Sequence, residues 1–294
     1  MNGPRALIVL AVIAIIIVVV AAGVALPMLL RNEGETDHVG EMRVFFLDVD
    51  QGDAILIQTP DGKNIMVDCG YVDYASEVIE FLRGHDVQVI DAFIATHPDP
   101  DHIGSVPTLF DEFRVLSVYH SGFVKTTQTY ENFIAAIEAE DCPIYDDNDI
   151  DAGDLLPLSS NVTFEVLSID STAEDSNDAS IVLKVTHGDV DLILEGDASW
   201  STELDMVERF GEELDVEVLK VSHHGSSSAS SYDWLDATSP ETAIVCIGPN
   251  DWGLPAQSIM DRLETYAGEV YTTDGEGGIL VLSNGLSCTA TGLA

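Results

Sequence analysis

Positive charge is what this chain of 294 residues has least of: Lys and Arg number 11 against 52 Asp and Glu, a net charge of −41. That excludes an ordinary basic nucleic-acid face, in which clustered Lys and Arg neutralise phosphates. The 4 cysteines, Cys69, Cys142, Cys246 and Cys288, are far apart and form no CxxC pair, which excludes a disulfide framework and a thiolate metal site. Cys69, Cys246 and Cys288 sit in apolar strand-like runs, where Cys packs as a small hydrophobe. No repeat of 20–50 residues and no low-complexity tract is visible, so a solenoid is excluded. With 46% hydrophobic and only 21% charged residues, the chain is not disordered. The acid excess is spread along the chain rather than gathered in a tail, the pattern of a surface kept hydrated at high salt.

What is present begins with an apolar run. Residues 6–30 carry no charge and span about 35 Å as a helix, enough to cross a bilayer core. Arg5 precedes the run; Arg31 follows it, joined by Glu33, Glu35 and Asp37. The sequence thus predicts a transmembrane anchor at 6–30 after a short tail (1–5), with the following domain outside the cell membrane. The alternative is a signal cleaved near Ala21, Ala22, Gly23 or Ala25 to give a secreted protein. Residues 31–41 read as a polar linker, and 42–294 as one α/β domain.

Within that domain, 43–49, 54–59 and 64–67 read as strands, the last two joined by a Pro60-Asp61-Gly62-Lys63 turn. A helix is expected at 73–83, an apolar strand at 87–95, and helices near 104–113 and 128–139. Strands follow at 162–168, 180–186, 190–195 and 216–221, then 242–247 and 279–283, with helices near 200–210 and 256–266.

The sharpest chemical feature follows the 87–95 strand: His97, Asp99, Asp101 and His102 lie within HPDPDH, stiffened by Pro98 and Pro100. Neutral imidazole and carboxylate are natural ligands for Zn or Mn. Alone, the run also reads as a polar turn whose aspartates cap the next helix. Two later strands end in Glu195-Gly196-Asp197 and in Ser222-His223-His224-Gly225. Carboxylates and imidazoles at three strand ends belong where α/β folds gather their sites.

HPDPDH resembles the HxHxDH motif of the metallo-β-lactamase superfamily, with Asp in place of the second His. Residues 46–54 (FLDVDQGDA) resemble the FLDVGQGDA opening of the extracytoplasmic domain of the ComEC competence family. Residues 65–70 (IMVDCG), 177–183 (NDASIVL), 194–197 (LEGD), 219–226 (LKVSHHGS) and 271–279 are similar to further blocks in the same order.

The resemblance implies an αββα metallo-β-lactamase sandwich with two divalent metal ions, Zn or Mn, and hydrolytic activity. For a ComEC-like domain the implied substrate is a nucleic-acid phosphodiester, single- or double-stranded DNA. Carried over, His97 and Asp99 hold one ion, Asp101 and His102 the other, and Asp197 bridges them. One of His223 and His224 completes the second site, and the other meets a phosphate oxygen or the leaving group. Asp101, His223 and His224 are the catalytic candidates; Asp68 and Ser180 support the ligands from behind. Three departures stand out. The third-motif His is missing around 177–180, which shifts the metal preference toward Mn. Leu254 stands where a GHP element has His. Asp50 replaces a Gly beside the site, adding negative charge. Other readings on the same fold are hydrolysis of an ester, lactone or thioester, and a non-catalytic surface binding module.

Overall fold

The computed structural model describes residues 40–294. The expected anchor and most of the expected linker lie outside them. Among the described residues, no helix is long and apolar enough to cross a membrane.

The first half of the chain supplies strands β1 (Met42–Phe46), β2 (Ala54–Gln58), β3 (Asn64–Cys69), β4 (Val89–Ile90), β5 (Ala92–Ala95), β6 (Arg114–Val115), β7 (Val118–His120) and β8 (Ile144–Tyr145). The second half supplies β9 (Leu155–Leu156), β10 (Thr163–Ser168), β11 (Val182–His187), β12 (Val190–Leu194), β13 (Val218–Lys220), β14 (Thr242–Val245), β15 (Glu269–Thr272), β16 (Ile279–Ser283) and β17 (Cys288–Gly292). One sheet has 8 strands in the order β17-β16-β1-β2-β3-β5-β7-β8; the other has 7, in the order β15-β14-β13-β12-β11-β10-β9.

Side-chain alternation makes the layers. In β1, Val44 and Phe46 point into the core between the sheets, while Phe45 points to the helices outside. In β2, Ile55 and Ile57 face inward and Leu56 outward. Facing them across the core are Phe164, Val166, Leu183 and Val185. Helices α1 (Ala75–Gly84), α2 (Pro100–Ile103), α3 (Val106–Glu112) and α4 (Gln128–Ala139) belong to the first half. Helices α5 (Trp200–Phe210), α6 (Tyr232–Thr238), α7 (Gln257–Tyr266) and α8 (Thr273–Glu276) belong to the second. Val78, Leu82, Leu109 and Phe133 cover the outer face of the first sheet; Met206, Trp234 and Leu263 cover that of the second. The result is the αββα sandwich expected.

Two expectations need correcting. The strand at 87–95 is broken at Asp91, whose carboxylate accepts hydrogen bonds from Lys63 Nζ (2.9 Å) and the Asn64 amide (3.0 Å). β4 then pairs only with β6, and β5 alone enters the main sheet. The helix near 104–113 is present as α3, but a separate helical turn, α2, precedes it and starts at Pro100, inside the 97–102 run. Pro suits a first helical turn, having no N–H to leave unpaired. Asp101 and His102 therefore sit on a helical turn rather than on the loop.

β3, β5, β7 and β8 run parallel, as do β12, β13, β14 and β15. Asp68, the 97–102 run, Asp197 and the histidine pair all lie at or just beyond the C-terminal ends of strands from these two sets.

Candidate metal centre

Asp197 follows β12 and is buried, and it turns its two carboxylate oxygens to different partners. Oδ1 faces His102 Nε2 at 3.4 Å and His224 Nε2 at 3.5 Å; Oδ2 faces His97 Nε2 at 3.7 Å and His223 Nε2 at 4.0 Å. Asp101 Oδ2 lies 3.5 Å from His224 Nε2, and Asp99 Oδ1 lies 3.9 Å from His97 Nε2. The sequence-predicted ligands thus gather on two sides of Asp197: Asp101, His102 and His224 on one, His97, His223 and Asp99 on the other.

The backs of the imidazoles are tied down. His102 Nδ1 donates to Asp68 Oδ2 at 2.8 Å, and His224 Nδ1 donates to the Cys246 carbonyl at 2.8 Å. Thr96 Oγ1 donates to Asp68 Oδ2 at 2.6 Å and accepts from His97 Nδ1 at 3.1 Å. Each ring therefore keeps a proton on Nδ1 and turns Nε2 inward, the nitrogen left to bind a cation. These three Nε2 atoms and Asp197 Oδ1 are buried without a hydrogen-bond partner. Orphaned buried polar atoms are costly, and this set aims donor lone pairs at common points. His97, His102 and Asp197 offer atoms within 4.8 Å of one another, as do Asp101, His102 and His224. The residues fit a pair of divalent cations.

The electrostatics ask for cations as well. Burial opposes charge on Asp197, but His224 and His102 hold its carboxyl well below the usual range. Burial likewise opposes charge on Asp101, yet His102 and His224 bring it down to about 2. His102 and His224 themselves are pushed up against burial by Asp197. His97 goes the other way: burial and the neighbouring His102 hold it well below its ordinary value. The carboxylates stay ionised and draw positive charge inward.

His223 and His224 are not the end of a strand. Both are left-handed, at φ 49° and φ 53°, in a tight turn after β13. The turn, not strand alternation, sets their directions, with the two rings at 80° to each other. Ser180 is buried, and its Oγ accepts from the Asp197 amide at 3.1 Å, so it supports the carboxylate through the backbone. At the missing third-motif position, Asn177 Nδ2 lies 3.4 Å from each ring nitrogen of His223.

Asp99 is the most encumbered candidate. Its Oδ1 is paired with Lys125 and accepts from Ser176 Oγ at 2.8 Å. Asp50 stands beside the cleft rather than in its wall, with its carboxylate bonded by the Tyr74 hydroxyl. Leu254 does line the cleft.

Sequence reasoning missed four supporting residues. Lys220 is fully buried, paired with Asp53 and donating to the Gly196 carbonyl at 2.9 Å. Burial works to lower the Lys220 pKa, but Asp53 holds it above its ordinary value, so the ammonium stays charged beneath the site. Thr96 and Lys125 complete the set. Asp53 and Lys220 lay within quoted blocks but carried no role there; Thr96 and Lys125 have no local signal. The cleft over the ligands has a volume of about 460 Å³, walled by Gln51, Tyr71, Pro100, Asn177, Ser226 and Trp252.

With that geometry in hand, the profile of the metallo-beta-lactamase superfamily matches residues 47–248. The chain is 29% identical over 270 residues to ComE operon protein 3 of Bacillus subtilis, covering 85% of this chain and 33% of that one. It is 27% identical over 289 residues to competence protein ComA of Neisseria gonorrhoeae, covering 94% and 38%. Recombination protein 2 of Haemophilus influenzae is 27% identical over 242 residues, covering 80% and 28%. The chain thus spans about a third of the length of these curated relatives. Among solved structures, the metallo-beta-lactamase fold protein YhfI of Bacillus subtilis aligns with a TM-score of 0.58 at 16% identity, over 83% of this chain and 100% of that one. The diiron beta-hydroxylase CmlA of Streptomyces venezuelae aligns at 0.50 and 11%, over 80% and 53%.

Proposed function

The chain belongs to the metallo-beta-lactamase superfamily as a metal-dependent hydrolase, and we propose that the bond it cuts is a phosphodiester of nucleic acid. One observation carries the proposal: unpartnered Nε2 atoms converge on Asp197 in a cleft that, among the described residues, no Lys or Arg lines. An anionic phosphate meets no Lys or Arg among those lining residues, so bound metal is the natural source of its attraction. The relatives' names, competence and recombination proteins, tie the family branch to DNA and favour a nucleic-acid substrate. The fold alone leaves the reaction open, since CmlA shares it and is a diiron beta-hydroxylase.

His102, His224 and Asp101 would hold one divalent cation and His97 and Asp99 the other, with Asp197 placed between the two sets. Such ions, Zn or Mn, would supply positive charge for the phosphoryl oxygens and a more acidic water. The chain's own groups do the rest. Asp68, Thr96 and the Cys246 carbonyl fix the proton on each Nδ1. His223 is the partly exposed imidazole of the set, with 27% of its side chain open to the cleft. It stands where it can donate a proton to a departing oxygen. The segment 6–30 anchors the domain outside the cell membrane.

The test is a metal count on purified protein in high salt, followed by assay of a small phosphodiester, single-stranded DNA, a lactone and a thioester. Bound divalent ions with phosphodiester hydrolysis support the reading. Bound ions with only lactone or thioester hydrolysis sink the substrate, and no bound ion sinks the reading.

A further inference from the structure

We propose that the strand entering this cleft is single-stranded and that an unpaired base stacks on Trp252; this rests on the phosphodiesterase reading above. Trp252 lines the same cleft as Asp101, Asp197, His223 and His224 and is 65% exposed. The other tryptophans are engaged: Trp234 is buried, and Trp200 carries the Arg262 guanidinium over its ring at 5.7 Å. Among the described residues, no ring or cation packs on the Trp252 indole.

The indole is exposed on a braced loop. Asn250 Nδ2 donates to the carbonyls of Gly248 (2.9 Å) and Leu254 (2.8 Å). Its Oδ1 accepts from the amides of Trp252 (3.1 Å) and Leu254 (3.1 Å). One side chain thus ties three residues of the loop together through four hydrogen bonds. The far end of the loop is pinned to the ligand turn. The Ala256 amide donates to the Gly225 carbonyl at 2.9 Å, and a Cβ on Gly225 would lie 2.6 Å from Pro255 Cβ. Gly225 directly follows His223 and His224, so the indole and the metal ligands are held as one unit.

Charge selects the mode of binding. Among the described residues no Lys or Arg lines the cleft, and Lys125 near its edge is taken by Asp99. With a net charge of −41, the protein gains nothing from releasing counterions along a duplex backbone. Stacking on an aromatic face needs no charge and tolerates any base, but it requires a base free of its duplex neighbours. The Tyr71 and Pro100 wall of the cleft also bounds a second hollow of about 280 Å³ lined by Val72, Gly104, Pro107, Thr108, Thr129 and Asn132. None of those residues is charged, so the strand can continue there without meeting a carboxylate.

The experiment uses the full metal-loaded chain and a phosphorothioate thymidine oligonucleotide, single-stranded or annealed to its complement. Binding is read by fluorescence anisotropy of a dye-labelled oligonucleotide, and stacking by quenching of indole emission, at about 1 M and about 3 M KCl, where the fold is screened. Hydrolysis of the ordinary phosphodiester oligonucleotide is followed in parallel. The wild-type protein should bind the single strand with little change between the two salt concentrations, and the duplex more weakly. Trp252→Ala should weaken single-strand binding about tenfold and remove most of the quenching. Trp252→Phe should recover most of the affinity. Asn250→Ala should weaken binding with the indole still present, the mark of a positioning role. Equal single-strand affinity in Trp252→Ala, or duplex bound as tightly as single strand, overturns the inference while leaving the phosphodiesterase reading intact. If the wild-type protein hydrolyses no phosphodiester, that reading fails and the inference falls with it.

Discussion

His102 donates from Nδ1 to Asp68 Oδ2 at 2.8 Å, with neither side chain open to solvent. The bond fixes which nitrogen of His102 is bare, and so fixes where a ligand lone pair points. Asp68→Asn keeps the volume but offers an amide that competes as a donor. Metal affinity is expected to fall about 10- to 100-fold, measured by equilibrium dialysis against buffered metal. Unchanged affinity would make Asp68 a packing residue only.

Asp197 is the discriminating ligand, because its two oxygens face different histidines. Asp197→Asn should lower occupancy at both positions and abolish hydrolysis. His224→Ala should empty mainly the side shared with Asp101 and His102. His223→Ala should keep most metal and lose turnover. Elemental analysis beside single-turnover assays separates these results, and full activity in Asp197→Asn would sink the two-metal reading.

Much of this was legible along the chain, and the reason is local. Helices α4 and α5 fall where the apolar period places them, each after a capping hydroxyl. Thr127 accepts from the Tyr130 amide and Ser199 from the Ser201 amide. The ligands were legible because the chemistry of metal binding selects few residue types, and those types recur at strand ends. What could not be read is what depends on meeting across the fold. Lys220 lies in an apolar strand and looks like a solvated end until Asp53 is seen against it. Asp91 looks like one polar residue in a strand until Lys63 and Asn64 hold it. The short strands β9, β15 and β17 went unread because their pairing comes from neighbours in the sheet, not from their own pattern.

Salt should govern stability. A net charge of −41 repels itself when unscreened, and the screening length falls from about 10 Å at 0.1 M to about 3 Å at 1 M salt. Circular dichroism against KCl should show unfolding at low salt and a rising melting temperature toward molar KCl. Equal stability at about 0.1 M and about 2 M would contradict this.

Asp61 supplies a separate pH test away from the metals. Slight burial works to raise its pKa, but hydrogen bonds from Ser159, Ser160 and Thr59 hold the carboxyl far below its usual range. Those bonds tie the β2–β3 turn to the segment before β10. A depressed carboxyl stabilises above its unfolded pKa of about 4 and loses that contribution as pH falls below it. Asp61→Asn should cost about 1 kcal/mol at neutral pH, modest because the group is exposed. Its melting curve should converge with that of the wild-type protein in acid; a constant gap at every pH would show that charge plays no part.

Topology can be checked on cells. Protease added outside intact cells should release residues 42–294 if the segment at 6–30 is an outward anchor. Protection until lysis would reverse the orientation, and a soluble domain in the medium would indicate cleavage.

The left-handed backbone at His223 and His224 sets foldability against function at two adjacent positions. A side chain held left-handed costs about 1 kcal/mol or more, a penalty glycine escapes. A library selected only for heat resistance should therefore enrich glycine at 223 and 224, while one selected for turnover should reject it. Comparing the two selected pools would locate the chemistry from sequence counts alone, before any substrate is known.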